Sequence, residues 1–139
     1  MSTAEHGTSN VQLLDTSVCA GTGFPSPAQD YVEMGLDWNT HLIRHPAATF
    51  PVRVLGKSME PLIMEGSYVI VDKSLEPKNN DIVVAIYRDE FTLKRFSKNT
   101  KGTFLIPENP KFPTVQISEA TDFQIWGVVT FSVHQHRTL

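Results

Sequence analysis

Only one cysteine, Cys19, stands among the 139 residues, so no disulfide can close within the chain. No apolar run approaches the roughly 18 residues of a membrane-spanning helix. The opening Met1-Ser2-Thr3-Ala4-Glu5-His6-Gly7 has neither the basic start nor the apolar stretch of a secretory signal. These absences predict a cytoplasmic protein with no membrane partner. Basic charge is not in excess either. The formal net charge is −3, which argues against the strongly positive surface of a general nucleic-acid binder. No direct contact with nucleic acid is therefore expected, although a protein partner that is itself bound to DNA stays open. The chain has no glycine-rich phosphate loop, no zinc-ligand spacing, no repeat and no low-complexity tract, so no cofactor and no metal is expected. What remains is an ordinary globular composition, 40% hydrophobic and 19% charged, enough for one domain with its own core.

The chain changes character twice. Residues 1–30 are rich in Ser, Thr, Gly and Pro, and only Val11, Leu13, Leu14 and Val18 offer much to bury. This stretch reads as an extended or mobile arm. Phe24-Pro25-Ser26-Pro27 resists helix, because each proline also restricts the residue before it. In residues 28–44 apolar positions recur loosely, Asp37 is placed to cap a short helix, and His45-Pro46 ends it. From residue 47 the pattern is one of strands: Thr49–Val54, Tyr68–Asp72, Ile82–Tyr87, Phe91–Phe96, Thr103–Ile106, Thr114–Ile117 and Phe123–Val133. Arg88-Asp89-Glu90 is a length suited to a hairpin. Short strands spaced by turns, with little helix between them, predict a mainly β, antiparallel domain over residues 47–139.

Two residues carry the most chemistry. Ser58 follows a strand-like run that breaks at Gly56, in Gly56-Lys57-Ser58-Met59-Glu60-Pro61. Lys94 lies in a second run, Glu90-Phe91-Thr92-Leu93-Lys94-Arg95-Phe96. Serine is a poor nucleophile until a base takes its proton. An unperturbed lysine has a pKa of about 10.4. A useful base needs one of roughly 7–8, so a catalytic lysine must be depressed by about three pH units, or around 4 kcal/mol. Burial among apolar side chains lowers a lysine in this way. In a strand Thr92, Lys94 and Phe96 share one face, while Phe91, Leu93 and Arg95 share the other, where Arg95 is free to stay solvated. The backbone N–H of Ser58, with one neighbour, is placed to face a developing oxyanion, and Met59 and Pro61 to form an apolar wall.

Against this stand plainer readings. A Gly-x-Ser turn commonly does no more than satisfy backbone groups, and a strand lysine is commonly exposed. His41 and His45, spaced i, i+4, suit a helical metal grip, but no third ligand follows and a structural or capping role fits better. His134 and His136 read as solvent-facing, and a Ser-His-Asp triad stays open as an alternative base arrangement. Trp126 and Phe131 read as core or dimer contacts.

Taken together, several segments resemble the UmuD/MucA family: Gly23-Phe24-Pro25-Ser26-Pro27-Ala28, His45-Pro46-Ala47-Ala48-Thr49, Ser58-Met59, Asp81-Ile82-Val83-Val84-Ala85, Glu90-Phe91-Thr92-Leu93-Lys94-Arg95 and Trp126-Gly127-Val128-Val129. The resemblance runs from about Gly23 to Val133. It implies the bent antiparallel sheets of LexA- and signal-peptidase-like domains, with Ser58 as nucleophile and Lys94 as base. It also implies a flexible N-terminal arm, residues 1–22, removed by self-cleavage, and a linker with a short helix at 23–46. In that family a RecA–single-strand-DNA filament promotes cleavage, and the shortened homodimer serves a UmuC-type error-prone polymerase in translesion synthesis. The register of the family's cut places the bond at Thr22-Gly23. The β-branched Thr22 departs from the small residue usual there, and Ala20-Gly21, two residues upstream, is the alternative. A binding module that keeps the fold without cutting is the competing reading. A self-cleaving repressor is a third, and the 22 residues before Gly23 are too few for a helix-turn-helix.

Overall fold

The computed structural model describes residues 10–13, 34–119 and 121–139, which fall into two compact units, one up to Arg44 and one from His45 onward. In the first unit, strand β1 (Asn10–Leu13) pairs antiparallel with β2 (Met34–Asp37), Asn10 opposite Asp37 and Leu13 opposite Met34. Helix α1 (Trp38–Leu42) follows directly. Its cap is the one the sequence suggests: the Asp37 carboxylate accepts from the amides of Asn39 at 3.1 Å and Thr40 at 3.4 Å, donors that a helix start leaves unpaired. Strand β1 falls in a stretch whose side chains predict no element.

The second unit is one seven-stranded antiparallel sheet. Its strands are β3 (Thr49–Arg53), β4 (Tyr68–Asp72), β5 (Ile82–Tyr87), β6 (Glu90–Asn99), β7 (Gly102–Ile106), β8 (Val115–Ile117) and β9 (Phe123–Val133). They lie in the order β3-β4-β9-β5-β6-β7-β8. The mainly antiparallel β domain expected from the sequence is the one observed. The long β9 pairs with both β4 and β5, and a bulge interrupts each pairing, between Ile70 and Val71 and between Val84 and Ala85. Bulges bend a strand and increase its twist, so the sheet is kinked along its centre. At that kink the backbones approach closely. A Cβ on Gly127 would lie 2.5 Å from Cγ1 of Val71, which is why glycine stands there.

Alternation along the strands creates two cores. Val54, Met59, Ile63, Val69, Val71 and Val84 form one cluster; Val83, Ala85, Phe96, Leu105 and Val128 form the other. Neighbours Val83 and Val84 go to different clusters, so β5 is buried on both sides and reads as an unbroken apolar run. One hairpin differs from its expected form. Glu90 pairs with Tyr87, leaving a two-residue loop, Arg88-Asp89, with φ of 51° and 65°. Positive φ at both positions is the tight turn whose twist matches the flanking strands, so Glu90 belongs to β6 and not to the turn. No helix among the described residues is long and apolar enough to cross a membrane.

Candidate active site

Ser58 sits on the excursion between β3 and β4. Gly56, at φ +85°, supplies the left-handed turn that starts it. The ends are closed by Val54 N–H to the Ser67 carbonyl and Gly66 N–H to the Val54 carbonyl, both at 2.8 Å. Within the loop the Gly56 amide donates to Glu65 Oε2 at 2.6 Å, and Lys57 Nζ lies 3.2 Å from Glu65 Oε1. Met59, at 1% exposure, and Ile63, at 3%, anchor the loop in the first core. Burying a side chain of that size contributes about 1.5–3 kcal/mol, so the residue beside Ser58 is a fixed post. This corrects one expectation. Met59 supports Ser58 from below and Pro61 is exposed, so the two do not form a wall together.

Lys94 reaches Ser58 from β6, where it stands opposite Val83. Its Nζ is 3.0 Å from Ser58 Oγ and 2.8 Å from Thr92 Oγ1. Burial pushes the Lys94 ammonium below the usual lysine range, and no other influence on it is of note. Among the described residues no carboxylate lies within ion-pairing distance of it. The amine is thus half-buried, held between two hydroxyls and without a counter-charge. When neutral, it presents a lone pair to the Ser58 hydroxyl. Thr92 shares a strand face with Lys94 as the alternation requires, but its bond to Nζ was not foreseen. The i, i+2 spacing was the available signal.

Arg95 is not solvated as expected. Its Nε donates to Glu108 Oε1 at 2.6 Å, and its Nη1 to the Asn80 carbonyl at 2.5 Å. An apolar groove runs beside the dyad, between Val52, Val54 and Leu55 on one side and Phe91, Thr92 and Leu93 on the other. Thr92 lines it while its Oγ1 accepts from Lys94 Nζ, although Ser58 and Lys94 are not themselves among the lining residues. Such a trough suits an extended peptide.

The histidines go elsewhere. Helix α1 ends at Leu42, so His41 and His45 share no helix. His45 Nδ1 lies 2.5 Å from Oδ2 of the buried Asp72, whose Oδ1 accepts from Ser74 N–H at 2.8 Å and Ser74 Oγ at 2.6 Å. Burial opposes the Asp72 charge, but these partners outweigh it and hold its carboxyl below the usual range. His134 Nδ1 is 2.9 Å from Oγ of Ser67, a residue too buried to attack a substrate. Neither His45 nor His134 is a hydrogen-bond partner of Ser58. Trp126 packs against the first core and contacts the rings of Phe50 and Phe91 at centroid distances of 5.6 and 5.7 Å. Thr22, Gly23, Ala20, Gly21 and Cys19 lie outside the described residues.

Residues 12–130 match the Peptidase S24-like family. The chain is 45% identical to the protein SamA of Salmonella typhimurium strain LT2 over 117 residues, 84% of this chain and 81% of SamA. It is 42% identical to the protein MucA of Escherichia coli over 116 residues, 82% of this chain and 79% of MucA. The LexA repressor of Leptothrix cholodnii is 35% identical over 109 residues, 76% of this chain and 46% of the repressor. With a peptidase family matched over most of the chain and relatives covered over about four fifths of their own length, the chain belongs to the S24-like peptidases and, among them, to the UmuD/MucA family.

Proposed function

We propose that this protein is a serine–lysine peptidase that cuts its own N-terminal arm. The observation that carries the reading is the 3.0 Å contact between Ser58 Oγ and a lysine amine that burial drives toward neutrality. Neutral Lys94 takes the hydroxyl proton while Oγ attacks the carbonyl carbon of the scissile bond. The new ammonium returns that proton to the leaving amine as the C–N bond breaks, which leaves the arm as an ester on Ser58. Water, deprotonated by the same amine, hydrolyses the ester and frees Ser58. One water is consumed, its oxygen going to the arm's new carboxylate and a proton back to Ser58 Oγ.

The bond cut is Thr22-Gly23 on register, with Ala20-Gly21 as the alternative. Tethering raises the arm's effective concentration, so a site of modest affinity cuts its own chain and spares others. The groove beside Thr92 is apolar, as an extended arm with Phe24 and Pro25 near the cut requires. The protein acts in the cytoplasm as a homodimer in SOS mutagenesis. A RecA–single-strand-DNA filament favours the docked arm, a shift of population and not new chemistry. The shortened product then serves a UmuC-type polymerase in translesion synthesis. One observation favours the non-cleaving alternative, in which the same fold binds the polymerase or RecA without cutting: Thr22 is β-branched where a small residue is usual.

The test is incubation of the purified chain at alkaline pH, followed by mass spectrometry. A fragment beginning at Gly23, or at Gly21, that vanishes in both Ser58→Ala and Lys94→Ala is expected. An intact wild-type chain at every pH, and with a RecA filament present, would sink self-cleavage and leave the binding module.

A further inference from the structure

The segment Pro107-Glu108-Asn109-Pro110, after β7, touches both halves of the site. Asn109 grips the serine loop by its backbone: its N–H donates to the Ser58 carbonyl at 2.9 Å, and its Nδ2 donates to the Lys57 carbonyl at 3.0 Å. Its own turn is fixed, since Oδ1 accepts from Lys111 N–H and its carbonyl from Phe112 N–H, each at 3.0 Å. The preceding residue, Glu108, holds Arg95, which adjoins Lys94 on β6. One strap therefore ties the loop of the nucleophile to the strand of the base.

We propose that Asn109 is a positioning residue for Ser58, setting both the Oγ–Nζ separation and the direction of the backbone amides beside the nucleophile. Across a trans peptide plane the carbonyl and the following N–H point in opposite directions. Two carbonyls drawn toward Asn109 turn the N–H groups of Ser58 and Met59 away from the strap. Neither amide donates to another described residue, which leaves both for the oxyanion that the scissile carbonyl oxygen becomes when Oγ attacks. The Lys57 carbonyl also accepts from Glu60 N–H at 3.1 Å. Loss of Asn109 Nδ2 therefore loosens the turn without unfolding it.

The inference rests on Ser58 being the nucleophile, and the experiment keeps the two apart. Self-cleavage of the full chain is followed across pH in wild type, Asn109→Ala and Asn109→Asp, at a temperature where circular dichroism finds all three fully folded. In N109A the alkaline plateau falls on the order of 100-fold, the scale set by a misplaced reacting atom. The midpoint moves down by no more than about one pH unit, because a weaker contact with Ser58 Oγ stabilises the ammonium less while the burial of Lys94 is kept. In N109D, which keeps the Lys111 bond but loses the donor, the plateau falls likewise and the added negative charge moves the midpoint up. A purely structural role would lower the melting temperature and leave the plateau of the folded protein alone. A plateau in N109A within about threefold of wild type overturns the proposal. So does a crystal structure of N109A that keeps the Lys57 carbonyl and the Oγ–Nζ distance unchanged, and this second readout needs no activity. If wild type itself never cuts but the N109A loop does shift, the nucleophile reading falls and the clamp survives as geometry.

Discussion

Thr92→Val tests the electrostatics of the site most sharply, because two opposed effects of one hydroxyl separate along the pH axis. Valine keeps the shape and removes the acceptor 2.8 Å from Lys94 Nζ. A hydrogen bond to a charged group is worth about 1.5–3 kcal/mol, and one between neutral groups about 0.5–1.5 kcal/mol. Thr92 thus favours the ammonium over the amine by about 1–1.5 kcal/mol, which corresponds to about one pH unit. Its removal moves the midpoint of the cleavage profile down by that amount. The same hydroxyl also holds the flexible lysine stem in line with Ser58, so its loss lowers the plateau, on the order of tenfold. Below both midpoints the rate climbs tenfold per pH unit, and the two changes cancel. The variant cuts at close to the wild-type rate below both midpoints and about tenfold more slowly above them. First-order rates from gel densitometry between pH 6 and 11 measure this directly. A T92V profile lowered equally at every pH, with its midpoint unmoved, would refute the claim that Thr92 stabilises the charged form.

Two further outcomes concern stability. In a Ser58→Ala background, where the chain stays whole, Lys94→Met is expected to raise stability at neutral pH, read as a higher urea midpoint. Lys94 holds its proton more weakly folded than unfolded, so between its folded pKa and about 10.4 the unfolded chain binds more protons and native stability rises with pH. The advantage of K94M must therefore shrink as pH climbs toward that upper limit, and a constant or growing advantage would contradict the burial argument. Gly127→Ala forces a methyl to within 2.5 Å of Val71 Cγ1 at the sheet's kink. Overpacking of this kind costs about 1–3 kcal/mol, and a melting temperature equal to wild type would show that the kink relaxes freely.

The parts of this fold that show in the sequence are those in which side-chain type records the environment. Strand β5 declares itself by an unbroken apolar run because Val83 and Val84 enter different cores, and β4 by alternation, since Val69 and Val71 enter the same one. Residue types and their setting, a serine after a glycine break and a lysine among apolar neighbours, only allow a Ser58–Lys94 pair, and the family resemblance is what joins the two. What escapes notice is held by backbone groups. Strand β1 exists by pairing with β2, and pairing leaves no pattern in four residues. The Arg88-Asp89 turn carries no glycine or asparagine to mark its positive φ, so the sequence suggests a loop one residue longer than the one observed. Asn109 is the strongest case. It acts on the carbonyls of Lys57 and Ser58, and every residue type has a carbonyl, so nothing at either position announces the clamp. Its only trace is an asparagine poised before Pro110, which reads as an ordinary turn. Ser58 and Lys94 stand out as candidates because the chemistry they offer lies in the side chains. The distance between them is set by main-chain contacts remote in sequence, and that distance decides whether a serine beside a lysine is a peptidase or only a turn.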